Sequence, residues 1–502
     1  MLANEPAGIG WGPLRKTSKE VSHATVRPMQ TSQGGRMRHV RTLIAGAVAT
    51  AAALSVAGLS ATAQAQPVSQ LAGGSDPSVP AGVATSVHLP TCSSGPVTVT
   101  SSPALPTSVH AVVNGTKAQL AGVWPKAATF KITVHCGGGT TKAATVTVVA
   151  APPENSAVGL GAQTQQGLLD QFSGDYNATI GTSGTHLYYW DAVNPVTGAI
   201  GDTIAVKAKC PSIPRPDGSS AGITQLATFT KTSDGKFLCA NFAGSARPRG
   251  SSDPPFATGG VAFVSLAGDA VDWATPKTTD APASLTSAQL AAIFTCQDTN
   301  WSQVGGKNAP IKPFLPQSGA GTLTFWLAAL GGITPGPCVS NLNNTLEENE
   351  GVNPALQTPE AIWIYSIGDY IAQKFHSPKC TNSTCTGAPP CVPAANKDLF
   401  SCDQHGTYAV KEINGVAPTT GSGVNTVINS AFPPAFDRLL FEVVPYDPNT
   451  ADHIPGSESG APGGVNLEKI FGHTGWACTN KGAKANIKSY GFVPLPSCGA
   501  TS

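Results

Sequence analysis

Every one of the chain's twelve cysteines falls after an apolar stretch that runs from Leu43 to Leu59. That stretch follows the basic run Arg36-Met37-Arg38-His39-Val40-Arg41 and ends in small residues, Ala61-Thr62-Ala63-Gln64-Ala65-Gln66. A basic flank, an apolar centre and an A-x-A site describe a secretory leader, and cleavage is expected after Ala65. Met37 stands where such a leader begins, so residues 1–65 read as an N-terminal extension plus signal peptide. No Cys follows the cleavage point, so no lipid anchor is expected, and the product reads as secreted and extracellular. An even set of cysteines in an oxidising compartment is a disulfide framework, and it restricts the fold more than any other feature. The spacing predicts local pairs: Cys92 with Cys136, Cys210 with Cys239, Cys296 with Cys338, and Cys478 with Cys498. Cys380, Cys385, Cys391 and Cys402 crowd one stretch and leave three pairings open. Their spacings of 5, 6 and 11 differ from the C-x2-C pairs of thiolate zinc sites, so no metal is expected there.

Charge excludes other classes. With 30 Lys+Arg against 29 Asp+Glu the net charge is +1, and no long basic run marks a nucleic-acid partner. A hydrophobic share of 41% excludes a wholly disordered chain. Residues 75–150 read as a small all-β domain: Pro96–Thr100, Ser108–Val113, Thr129–Val134 and Ala144–Val149 alternate between apolar and polar residues, with Gly- and Pro-rich turns between them. It looks like an immunoglobulin-like sandwich stapled by Cys92 and Cys136, although Trp124 falls too late for the usual core tryptophan. The linker Ala151-Pro152-Pro153-Glu154-Asn155 closes it. Residues 156–502 interleave strand-like and helix-like stretches, which points to an α/β architecture. The clearest helix lies in Leu285–Phe294, where Thr286 and Gln289 have capping-box spacing and Leu290, Ile293 and Phe294 share a face.

Three loops in this region carry candidate chemistry. They are Gly161-Ala162-Gln163-Thr164-Gln165, Gly218-Ser219-Ser220-Ala221-Gly222 and Gln317-Ser318-Gly319-Ala320-Gly321-Thr322. Each places Gly and a hydroxyl residue ahead of a helical pattern. A helix start offers free N–H groups and partial positive charge, and hydroxyls add neutral donors, so the three together suit a tetrahedral anion. Taken singly, each hydroxyl reads as an ordinary N-cap.

The run from Leu285 through Cys296, the turn Thr299-Asn300-Trp301 and the loop Pro316–Thr322 together resemble the substrate-binding proteins of Pst-type phosphate ABC importers. Gly218–Gly222 and Asn241-Phe242-Ala243-Gly244-Ser245 are similar to two further signature loops of that family, and Pro433–Phe441 to its crossover strand. The resemblance implies the periplasmic-binding-protein fold: two α/β lobes around a cleft, joined by a hinge, over residues 156–502. It implies a non-catalytic solute-binding protein for phosphate or a similar oxyanion, a monomer without cofactor, working with an ABC permease. Carried over by position, the anion's partners would be Thr164, Ser219, Ser220, Ser245, Ser318, Gly321 and Thr322. Where the family has a serine, an arginine and an aspartate, this chain has Ala320, Pro316 and Ala246. Arg247 is expected to supply the missing cation.

Rival readings come from other classes. Gly218-Ser219-Ser220-Ala221-Gly222 fits G-x-S-x-G, with His405, His453 and His473 downstream, but no apolar strand leads into it. A phosphatase would need a metal cluster of His and Asp that the sequence does not display. An adhesion or scaffold protein that has lost anion binding is the structural alternative. Tyr188-Tyr189-Trp190, Trp301 and Trp363-Ile364-Tyr365 read as core or cleft wall, and Glu347-Glu348-Asn349-Glu350 as a solvated acidic turn.

Overall fold

The computed structural model of the chain describes residues 78–182, 184–377, 399–400, 403–456 and 464–502. The expected leader, and Cys380, Cys385, Cys391 and Cys402, lie outside the described residues.

The N-terminal β region is built from two sheets. Ser78–Pro80, Thr141–Val149, Ala128–His135 and Thr98–Ser102 form one, in that order; Ala84–His88, Lys117–Val123 and Val109–Asn114 form the other. Alternation sets the facing: along Ala128–His135, Phe130, Ile132 and Val134 point inward, while Thr129 and Lys131 are exposed. Trp124 is buried in this core with its ring centroid 4.9 Å from that of Phe130. Two strands carry no alternation in the sequence. Lys117–Val123 is rich in small residues, and Ala84–His88 is buried on both faces. The second face of Ala84–His88 lies against helix α1 (Gln166–Ile180): a Cβ on Gly174 would meet Ser86 Oγ at 1.9 Å.

The rest is mixed α/β. One nine-stranded sheet runs Leu187–Trp190, Ala157–Gly161, Phe242–Ser245, Asp437–Pro445, Val261–Pro276, Ala361–Ser366, Lys312–Pro313, with Tyr408–Val410 and Val493–Pro494 also paired to the long strand. Its first three strands are parallel, and the rest of the pairing to Val261–Pro276 is antiparallel. Every residue of Val261–Pro276 is buried. The strand serves two cores in turn. Val264 and Leu266 belong to a core with Leu168, Phe172 and Phe242; Ala270, Val271 and Trp273 belong to a second with Leu290, Phe294, Trp326 and Ile362. A bulge between Ser265 and Ala267 falls near the end of the first stretch. Such a bulge bends a strand and increases its twist locally. Helices α1 and α2 (Ser219–Leu226) pack on the first half, α3 (Ser287–Phe294) and α4 (Gly321–Ala329) on the second. The α3 capping box forms as the spacing predicts, with Thr286 accepting from the Gln289 N–H and Gln289 Oε1 accepting from the Thr286 N–H. Trp301, Trp363, Tyr188, Tyr189 and Tyr365 are core residues.

The four expected disulfides are formed: Cys92–Cys136, Cys210–Cys239, Cys296–Cys338 and Cys478–Cys498. Among the described residues no helix is long and apolar enough to cross a membrane.

Asp269 and Arg438 are cross-strand partners where the two long strands pair. Both side chains are fully buried, with Arg438 Nη2 at 2.7 Å and Nε at 2.9 Å from Asp269 Oδ2. The carboxylate is completed by the Ser366 hydroxyl at 2.9 Å and the Gly368 N–H at 3.0 Å. Removing one member of such a pair strands the other charge, so Asp269→Ala is expected to cost ~3–5 kcal/mol in urea denaturation. Glu442 is also fully buried, and burial pushes its carboxyl up to about 8. Below the unfolded-state value it is neutral in both states; from there up to about 8 the unfolded chain ionises while the folded state resists, and stability is lost. Denaturation midpoints of the natural chain should therefore fall between about pH 5 and 8, and Glu442→Gln should flatten that fall by up to about 1.4 kcal/mol per pH unit.

Candidate functional site

Three helix starts converge where the halves meet. In none of α1, α2 and α4 does the N-cap side chain cap its own helix: the N-caps are Gln165, Gly218 and Ala320. Ser219 and Thr322 fall inside the first turns instead, and Thr164 lies just ahead of α1. The hydroxyls are thereby free to reach across rather than back. The approach is close enough to demand glycine. A Cβ on Gly321 would sit 2.2 Å from Ser219 Oγ, and one on Gly218 would sit 2.5 Å from the Gly319 carbonyl. Gly218 also has a φ of +86°, a conformation that L side chains rarely adopt. The Ser220 N–H donates to the Gly319 carbonyl at 3.2 Å, tying the two loops together.

The position where these donors meet holds a carboxylate from the chain itself. Glu348 Oε2 accepts from the Thr164 hydroxyl at 2.6 Å and the Thr322 hydroxyl at 3.1 Å. Its Oε1 accepts from the Thr322 N–H, an open donor of the first turn of α4, at 3.2 Å. Behind Thr322 stands Arg438, whose Nη1 donates to Thr322 Oγ1 at 2.8 Å and to the Ala246 carbonyl at 3.0 Å. Thr322 therefore passes the pull of a buried guanidinium on to Glu348. The glutamate is placed by its backbone: its N–H donates to Gln163 Oε1 at 2.8 Å. The next residue, Asn349, adopts a left-handed φ of +58° and accepts from the Ser366 N–H through its side chain. The stretch 347–349 is buried, so the solvated acidic turn expected from sequence is corrected. Glu348 points into the molecule, where the donors that hold its carboxylate lie.

The candidates read from sequence divide into distinct groups. Thr164, Thr322 and Gly321 are brought together at the seat, with Ser219 directly beside Gly321. Ser219 Oγ accepts from the Ala246 N–H at 3.0 Å. Ser245 is buried and turned to its own loop, donating to the Arg247 carbonyl at 2.8 Å. Ser318 is exposed, and its N–H goes to Asn344 Oδ1 at 2.7 Å, away from the other candidates. Arg247, expected as the substitute cation, is paired within its own loop. Its guanidinium makes a two-pronged pair with Asp253, Nη1 at 2.6 Å and Nη2 at 2.9 Å, and reaches Ser220 Oγ at 3.3 Å. Pairing cancels its charge locally, in surroundings that leave both side chains 6% exposed. The cation that serves the seat is Arg438, which the sequence reading passed over although it is a lone Arg in the apolar crossover strand Asp437–Pro445.

The surroundings are acidic. Glu347 is pushed up to about 9 by burial and by Asp217, Glu350 and Glu348; Glu350 rises to about 7 and Asp217 to about 6, burial leading in both. A cavity borders the seat, and Gln163, Thr164, Asp170, Glu348, Asn349 and Asp369 are among its walls. Burial raises Asp170 and Asp369 well above the usual carboxylate range. Among the described residues no group of His, Cys, Asp and Glu is arranged to hold a metal ion. The hydrogen-bond partner of Ser220 Oγ, the serine of the G-x-S-x-G stretch, is Arg247.

Residues 188–388 match the family model described as the PBP superfamily domain. No curated protein matches the chain. Solved structures similar to this chain include an ABC-type phosphate transport receptor from Vibrio cholerae, 16% identical, covering 68% of this chain and 100% of its own, with a TM-score of 0.38. A putative phosphate ABC transporter substrate-binding protein with bound phosphate from Clostridium perfringens is 13% identical, with the same coverage of 68% and 100% and a TM-score of 0.39. PstS from Borrelia burgdorferi is 17% identical over 68% of this chain and 98% of its own, with a TM-score of 0.34. Residues 188–388 are thus similar to the PBP superfamily domain.

Proposed function

We propose that the protein is a secreted, non-catalytic solute-binding protein whose seat between the two halves takes phosphate or a related tetrahedral oxyanion. The observation that carries this reading is the donor set on Glu348: two hydroxyls and one helix-start N–H, from separate stretches of chain, converge on a negatively charged oxygen pair. Neutral donors backed by a buried arginine suit an oxyanion held away from water. The superfamily match supports the class of protein. In this reading residues 156–502 form the binding domain, working as a monomer, with an ABC permease as partner and with no nucleic acid or cofactor involved. Residues 75–150 form an immunoglobulin-like spacer, and residues 1–65 are removed on secretion.

A second reading has its own observation. The seat is filled by Glu348 and bordered by Asp217, Glu347 and Glu350. A chain kept as a scaffold after losing its ligand would look the same.

Calorimetry of the full chain with inorganic phosphate, sulfate and arsenate decides between them. Binding of at least one oxyanion at 1:1 stoichiometry is expected, and no heat with any of them favours the scaffold. Thr322→Ala removes a hydroxyl that faces the charge and should weaken binding by about tenfold. Arg247→Ala is expected to leave the affinity unchanged, because its guanidinium is already committed to Asp253.

A further inference from the structure

We infer that Glu348 is a built-in competitor for the seat: its carboxylate stands where an incoming oxyanion would bind, and the ligand enters only by displacing it. The inference rests on the oxyanion reading above and adds the residue that sets how strongly, and for which anions, the seat is open.

Three features support it. First, the contacts are those of a bound anion rather than of a surface glutamate. Glu348 is 3% exposed. Thr164 and Thr322 donate to one carboxylate oxygen, and the Thr322 N–H donates to the other. Both threonines are themselves buried, and their hydroxyls lie 3.3 Å apart. Second, the main chain delivers the side chain there. The Glu348 N–H is held by Gln163, the residue before Thr164, so one loop both offers a donor and positions the group that occupies it. Third, the displaced side chain has a place to go. The cavity beside Glu348 is walled by the amides of Gln163, Gln166, Asn349 and Gln373, together with Asp170, Asp191 and Asp369. Of these acids, burial pushes Asp170 and Asp369 well above the usual carboxylate range and Asp191 up to about 6. Amide N–H groups can accommodate a carboxylate that has left the seat.

Competition of this kind has a selective consequence. A guest gains only the difference between its own contacts and those Glu348 gives up. A singly charged carboxylate such as acetate offers no more than Glu348 already provides. A doubly charged tetrahedral oxyanion brings more charge and more acceptor oxygens to the same donors.

The test compares the full natural chain with Glu348→Ala and the near-isosteric Glu348→Gln. Phosphate is titrated by calorimetry, and melting temperature is followed with and without acetate. Glu348→Ala is expected to bind phosphate about tenfold tighter or more, as befits the removal of an internal charged competitor. Glu348→Gln should fall between, and acetate should raise the melting temperature of Glu348→Ala alone. If the natural chain binds phosphate and neither variant binds it more tightly, the competitor inference is wrong while the oxyanion reading stands. If all three melt cooperatively, none binds phosphate, sulfate or arsenate, and acetate stabilises none, both fail together.

Discussion

A fully buried arginine organises the centre of this molecule. Arg438 leaves the crossover strand opposite its cross-strand neighbour Asp269 and neutralises it, while the other prong of its guanidinium reaches the Ala246 carbonyl and the Thr322 hydroxyl. Those partners come from different places: the long strand that feeds both cores, the loop after Phe242–Ser245, and the start of α4. A charge buried this deeply is tolerated only when its hydrogen bonds are met, so the pair dictates how these elements are set against one another. It also fixes which side of Thr322 is left to face the seat.

With Arg438 behind it, the Thr322 hydroxyl receives on one side and donates on the other. The seat therefore draws negative charge without any cation entering it. Sequence reasoning looked for a cation at the rim and chose Arg247, because that residue follows the position where an aspartate is absent. The molecule instead keeps its positive charge one hydroxyl deeper, and Arg247 serves to fasten its own loop through Asp253.

Much of the framework is legible in the chain because it is local. The α3 capping box needs only two residues three apart, and the disulfides join cysteines that are near in sequence. Strands such as Ala128–His135 announce themselves because one face is wet. Ala84–His88 does not, since α1 covers what would have been its polar face, and burial on both sides erases the alternation. The seat is legible only in part, for the same reason. Hydroxyl and glycine at a helix start are a short-range pattern, so Thr164, Ser219, Gly321 and Thr322 can be picked out. That Glu348, 184 residues from Thr164, would return to meet it is long-range information. A run of acidic residues looks like a surface feature until the donors that hold it are known.

The glycine contact between α2 and α4 bears on how anything reaches the seat. One helix start belongs to each half, and at Gly321 and Gly218 they touch with no room for even a methyl group. The two helix starts are in contact, with the chain's own carboxylate held beside them. In the proposed reading a guest reaches the seat only when this contact loosens and Glu348 gives way, so the resting protein would be slow to load.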